Sequence, residues 1–168
     1  MKNIILIGMM GCGKTTVGRL LAQALGRELV DTDEAIERRE GRSISDIFAQ
    51  EGEPYFRDLE AALCQELAQR DGLAVACGGG LPTRAEAIAA LKASGVVFWL
   101  NREPAVIYDT VSMAHRPLGQ GGKEAFLERF RQREPIYRRW ADYIIEGHAQ
   151  AAEAVGRIAA LYERECQA

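Results

Sequence analysis

Eight consecutive residues, Gly8-Met9-Met10-Gly11-Cys12-Gly13-Lys14-Thr15, constrain this chain more than any other stretch. They match G-x-x-x-x-G-K-[ST] in full. An apolar run, Ile4–Ile7, stands before them, and Val17, Leu20, Leu21, Ala24 and Leu25 follow at helical spacing up to Gly26. A buried strand, a glycine loop and an amphipathic helix in this order create a nest of inward N–H groups at a helix N-terminus, suited to phosphate oxygens. Lys14 is then expected to reach β- and γ-phosphates, and the Thr15 hydroxyl to ligate Mg²⁺. The bland alternative, a chance glycine turn before a helix, does not account for motif and context together.

The rest of the chain alternates between two patterns. Strands are predicted at Glu28–Val30, Leu73–Cys77, Val96–Leu100 and Tyr143–Ile145. Helices are predicted at Glu34–Glu40, Ser45–Gln50, Pro54–Ala68, Ala105–Thr110, Glu124–Arg139 and Ala152–Glu165. Thr83 and Glu86 have capping-box spacing for a further helix through Ala93. This alternation predicts an α/β fold on a parallel sheet. Ligands of such sheets bind at the carboxyl ends of the strands, where Gly8–Thr15, Asp31 with Asp33, and Gly78–Gly80 are expected to converge.

With 168 residues the chain suits one domain, expected to span 1–168 without an internal linker. A formal net charge of −3 argues against a nucleic-acid or anionic-membrane partner, and the apolar runs are too short to span a bilayer. The four cysteines form no Cys-x-x-Cys pair, as expected of reduced thiols in the cytoplasm. Cys12 lies inside the phosphate nest as a reactive thiol or, more simply, an inert small residue.

The nest alone does not distinguish a kinase from a GTPase or an ATPase. The Asn/Thr-Lys-x-Asp base-reading motif of GTPases is missing, and the strand Leu73–Cys77 ends in three glycines where an ATPase carries an aspartate. Asp31 and Asp33 are therefore the candidates for metal assistance.

Taken in order, Gly8–Thr15, Asp31-Thr32-Asp33, Gly52–Arg57 with Glu60, Gly78–Gly80, Arg116-Pro117-Leu118, and Arg133 with Tyr137 resemble the shikimate kinases, from Lys2 to about Arg164. The resemblance implies a three-layer P-loop kinase fold with five parallel strands in the order 2-3-1-4-5. It also implies a substrate-binding helical region at about 33–61 and a lid at about 112–123. The implied reaction carries the ATP γ-phosphoryl group to the 3-hydroxyl of shikimate, with Mg²⁺ as cofactor, in the route to chorismate and the aromatic amino acids. Lys14, Asp33 and Arg116 are implied as catalytic residues. Gly11, Cys12, Gly13, Lys14, Thr15, Thr16, Arg116 and Gln150 are implied to bind ATP. Asp33, Arg57, Gly79 and Arg133 are implied to bind shikimate, and Thr15 and Asp31 to support the metal. ATP and shikimate are the expected partners of a cytoplasmic monomer.

Chemistry supports this assignment: two guanidinium groups can grip a carboxylate through paired donors, and Asp33 can orient or deprotonate the attacking hydroxyl. Glu53 and Glu60 are candidates for holding Arg57 in place. Singly, each residue has a plainer role: Asp33 as a helix N-cap, Arg57 and Glu60 as a surface pair, Gly78–Gly80 as a turn, Arg133 as one of many solvated arginines. The chain also departs from the family. Gly119 follows Leu118 where Arg-Pro-Leu-Leu is common, and Tyr108-Asp109-Thr110 stands where many members have an adenine-stacking arginine. Gly119, Gly121 and Gly122 are candidate lid hinges. His115 and His148 lack metal-ligand spacing, and Trp99 and Trp140 suit packing. The competing functions are another small-molecule kinase, such as a gluconate kinase, and a nucleotide-binding regulatory module without turnover.

Overall fold

The computed structural model describes residues 1–113 and 121–168, and in it the N-terminal apolar run forms β1 (Asn3–Ile7), with all five residues buried. Apolar side chains on both faces suit a strand covered by helices on each side. The chain then forms α1 (Lys14–Leu25), β2 (Glu28–Asp31), α2 (Thr32–Glu40), α3 (Ile44–Glu51), α4 (Glu53–Leu67) and β3 (Leu73–Ala76). A 3-10 turn at Leu81–Thr83 leads to α5 (Ala85–Ser94), β4 (Gly95–Asn101), α6 (Pro104–Met113), α7 (Gly122–Trp140), β5 (Tyr143–Glu146) and α8 (Ala151–Gln167). The five strands form one parallel sheet in the order β2-β3-β1-β4-β5, with Ile5 paired to Val75 on one side and Val97 on the other. Packing of α1 on α8, and of α4 on α5, covers this sheet.

The starts of α2 and α5 differ from expectation for local reasons. α2 begins at Thr32 rather than Glu34 because Asp31, not Asp33, caps it: Asp31 Oδ1 accepts from the Glu34 N–H at 3.1 Å. Asp33 is thereby placed in the first turn, with its carboxylate free for other contacts. The Thr83–Glu86 capping box does not form. The Thr83 hydroxyl instead donates to Gly80 O at 2.5 Å, closing the 3-10 turn, and Glu86 accepts from Arg84 Nε. The tight turn after the glycines draws Thr83 back toward them.

At the opposite end of the sheet Asn3 acts as a polar lock. Its Nδ2 donates to Arg70 O at 2.8 Å and to Ser94 Oγ at 3.2 Å, and its Oδ1 accepts from the Leu73 N–H at 2.8 Å. Asn3→Ala leaves the buried Leu73 donor and the Arg70 carbonyl unpaired. It is expected to lower unfolding stability by about 2–4 kcal/mol, measured by urea denaturation, while leaving the opposite, ligand-binding edge intact.

Candidate active site

The phosphate loop leaves β1 at Gly8, whose φ of 146° is open only to glycine. A Cβ there would lie 2.8 Å from Leu100 O and 2.9 Å from Cys12 Sγ, so the loop is seated directly on the end of β4. Gly11 and Gly13 also take positive φ, and α1 starts at Lys14 with no acidic residue in its first turn. Its N-terminal dipole is thus left for an external anion. The buried Lys14 ammonium donates to Gly8 O at 2.7 Å and Met9 O at 2.9 Å, which holds it under the loop. Thr15 Oγ1 donates to Asp31 Oδ2 at 2.5 Å, joining the start of α1 to the end of β2. Thr16 is exposed. The Cys12 thiol is buried 3.7 Å from Lys14 Nζ and faces the loop interior. All four cysteines are free.

Beside this loop lies a cavity of about 650 Å³. Asp33 enters it from α2, Arg57 and Glu60 from α4, Gly78–Gly80 from the end of β3, and Arg133 from α7. Each glycine sits where a side chain would press on a cavity group. A Cβ on Gly78 would lie 2.5 Å from Asp33 Oδ1 and 3.1 Å from Glu60 Oε2, and one on Gly80 would overlap the Arg57 guanidinium. A Cβ on Gly79 would meet Met10 N at 3.1 Å, Arg133 Nη1 at 3.4 Å and Gly8 O at 3.6 Å. The glycine turn is therefore wedged between the phosphate loop and Arg133, which brings the cavity up against the loop. Ile44 and Phe48 of α3 and Phe56 of α4 form an apolar wall, with the two phenyl centroids 5.0 Å apart.

The charges are arranged in opposition. Arg57 donates to Glu60 Oε1 at 2.5 Å and, through Nη2, to Glu53 Oε1 at 3.2 Å. Glu60 is fully buried, and that burial pushes its carboxyl up to about 7 against the pull of Arg57. Asp33 is pushed up to about 6, first by burial and then by Asp31, while Lys14 and Arg57 oppose the shift. Burial lowers the Arg133 pKa, and its buried Nη1 has no hydrogen-bond partner within the described chain. A buried guanidinium donor is costly to leave unpaired, so this atom is poised for an anion entering the cavity.

The structure brings Lys14, Thr15, Asp31, Asp33, Arg57, Gly79 and Arg133 together at the carboxyl ends of the strands. Gln150 is exposed at the N-terminus of α8, beyond the end of β5. Arg116 and Gly119 lie outside the described residues, as do His115 and most of the expected lid; Gly121 and Gly122 have φ of 96° and 72°. Trp99 is buried with its ring 5.7 Å from that of Tyr137, consistent with a packing role. Among the described residues no helix is long and apolar enough to cross a membrane. No group of three or more His, Cys, Asp or Glu side chains there is arranged to hold a metal. Sequence reading left two contributors without a role. Ile44 and Phe48 were assigned no role from the sequence, and Tyr137, four residues after Arg133, carried no signal of its partner.

A phosphate loop at the head of α1, next to a cavity holding an aspartate and two arginines, defines a P-loop kinase fold with a small-molecule acceptor pocket. The shikimate kinase family model matches residues 10–162, and this chain belongs to that family. A shikimate kinase from Thermodesulfovibrio yellowstonii is 40% identical over 98% of this chain and 96% of its own length. The structure of the shikimate kinase from Acinetobacter baumannii in complex with shikimate superposes with a TM-score of 0.90 at 39% identity, covering 98% of this chain and 94% of that one. A gluconokinase from Sinorhizobium meliloti covers 97% of this chain and 94% of its own, with a TM-score of 0.57 and 18% identity. It shares the fold alone.

Proposed function

We propose that this chain transfers the γ-phosphoryl group of ATP to the 3-hydroxyl of shikimate, releasing ADP and shikimate 3-phosphate. The observation that carries this reading is the acceptor cavity: a carboxylate at Asp33 faces two guanidinium groups, one with a buried donor unpaired among the described residues, directly beside the phosphate loop. A small hydroxylated carboxylate satisfies both ends. Arg57 and Arg133 bind its carboxylate, Gly79 allows close backbone approach, and Asp33 orients the attacking hydroxyl and takes its proton.

Gly11, Cys12, Gly13, Lys14, Thr15 and Thr16 present the phosphate nest. Cys12 serves there through the backbone, since its thiol is buried. Lys14 exchanges its loop carbonyls for phosphate oxygens. Gln150 lies on the adenine side, and Arg116, carried on a lid at about 112–123, covers the phosphates. The substrate-binding region is about 33–61, and the whole of 1–168 acts as one domain.

Thr15 and Asp31 fit Mg²⁺: their oxygens are already adjacent, and this ion is commonly held by one or two protein oxygens together with nucleotide phosphates and water. When bound, Mg²⁺ offsets charge on the β- and γ-phosphate oxygens. The chain is proposed to work as a cytoplasmic monomer, without a nucleic-acid or membrane partner. A coupled ADP-release assay with shikimate, gluconate and nucleoside monophosphates tests the reading. Turnover is expected with shikimate alone, and none with shikimate overturns it.

A further inference from the structure

Arg133 and Tyr137 are one helical turn apart on α7 and face the same way. Tyr137 is fully buried, and its hydroxyl donates to Gly79 O at 2.5 Å. The same oxygen lies 3.6 Å from Met9 Sδ in the phosphate loop. A phenol has one proton to donate, and the short carbonyl contact takes it, leaving the oxygen lone pairs as acceptors. Arg133 Nη1 lies against the same turn, 3.4 Å from where a Cβ on Gly79 would stand. One hydroxyl thus ties α7, the helix that carries Arg133, to the turn after β3.

The peptide joining Gly79 to Gly80 is trans, so its carbonyl and N–H point in opposite directions. Anchoring the Gly79 carbonyl on Tyr137 also orients the N–H of Gly80 and fixes the turn against the loop. Glycines lack side chains to brace them, so a run of three depends on contacts made by its peptide groups. From these contacts we infer that Tyr137 is a positioning residue for the acceptor: its hydroxyl pins the Gly79–Gly80 peptide, against which the Arg133 guanidinium rests, into one rigid receptor for the acceptor's carboxylate end. Tyr137 does not touch the acceptor. It acts through the two groups that do, and this inference rests on the proposed function.

The test uses the full chain with Tyr137→Phe, which keeps the ring against Trp99 and removes the hydroxyl. Shikimate KM is expected to rise about tenfold, with ATP KM within twofold and the melting temperature nearly unchanged. The methyl ester of shikimate, in which the carboxylate charge is masked, supplies a second readout. In the parent chain shikimate should bind far more tightly than the ester by calorimetry, and in Tyr137→Phe that preference should shrink about tenfold. General loosening of the core would weaken both ligands alike and leave the preference unchanged.

An unchanged shikimate KM, or an unchanged preference over the ester, overturns the inference while leaving the proposed function standing if the parent turns over shikimate. Failure of the parent to bind or turn over shikimate overturns both. If Tyr137→Phe does not fold, Tyr137→Trp, which refills the site with a ring lacking the hydroxyl oxygen, is read by the same preference ratio.

Discussion

Arg57→Ala is expected to raise shikimate KM by about 30- to 1,000-fold while ATP KM stays within about twofold. The range corresponds to loss of one desolvated, charge-assisted contact, about 2–4 kcal/mol. The asymmetry follows from position. Arg57 reaches the acceptor cavity from α4, and the phosphate loop belongs to β1 and α1. The substitution also deprives the fully buried Glu60 of the cation that lowers its pKa, so Glu60 responds by taking up a proton rather than remaining a bare buried charge. The contact from Arg57 to the more exposed Glu53 contributes little to this balance. Steady-state kinetics with each substrate varied in turn measures the split. An equal rise in both KM values would contradict the placement of Arg57 on the acceptor side.

Asp33→Asn is expected to lower kcat by roughly 10²- to 10⁴-fold, the usual range for a positioned acid–base group, with much smaller effects on either KM. The acting form is the carboxylate. With Asp33 pushed up to about 6, kcat/KM for shikimate should fall about tenfold per pH unit below about pH 6 and level off above it. The asparagine variant should lose that acidic limb. Stability should move the other way. A carboxyl whose folded pKa lies above its ordinary 3.8 makes the folded chain bind more protons than the unfolded one between about pH 4 and 6. Asp33 therefore costs stability as pH rises through that window, and the cost persists above it. Asp33→Asn should raise the melting temperature of the ligand-free chain near pH 7.5 and change it little near pH 4. A chain made more stable and far less active by one isosteric change would mark Asp33 as a group held under electrostatic strain for its task.

The sheet was legible because its signals are local. A fully apolar β1 needs helices on both faces, and Gly26 with a φ of 62° ends α1 where expected. The site residues were legible as residue types at family spacing. Their actual arrangement was less so, because it depends on competition between partners. Asp31 and Asp33 are both acidic and both near a helix start. Their roles separate only when Asp31 Oδ1 captures the Glu34 N–H and Oδ2 the Thr15 hydroxyl, leaving Asp33 for the cavity. Thr83 illustrates the converse: a valid capping pattern yielded to a nearer carbonyl at Gly80.

By itself the sequence determined the phosphate nest, the parallel α/β scaffold and the identity of the charged groups. These follow from backbone freedom at glycine, hydrophobic periodicity and side-chain chemistry, all properties of short segments. Only the tertiary structure decided which charges are buried, which are paired and which are left wanting a partner. Those outcomes depend on groups far apart in the chain meeting where water is excluded. There the fully buried Glu60 confronts Arg57, Arg133 keeps a donor with no partner among the described residues, and the Tyr137 hydroxyl reaches the Gly79 carbonyl.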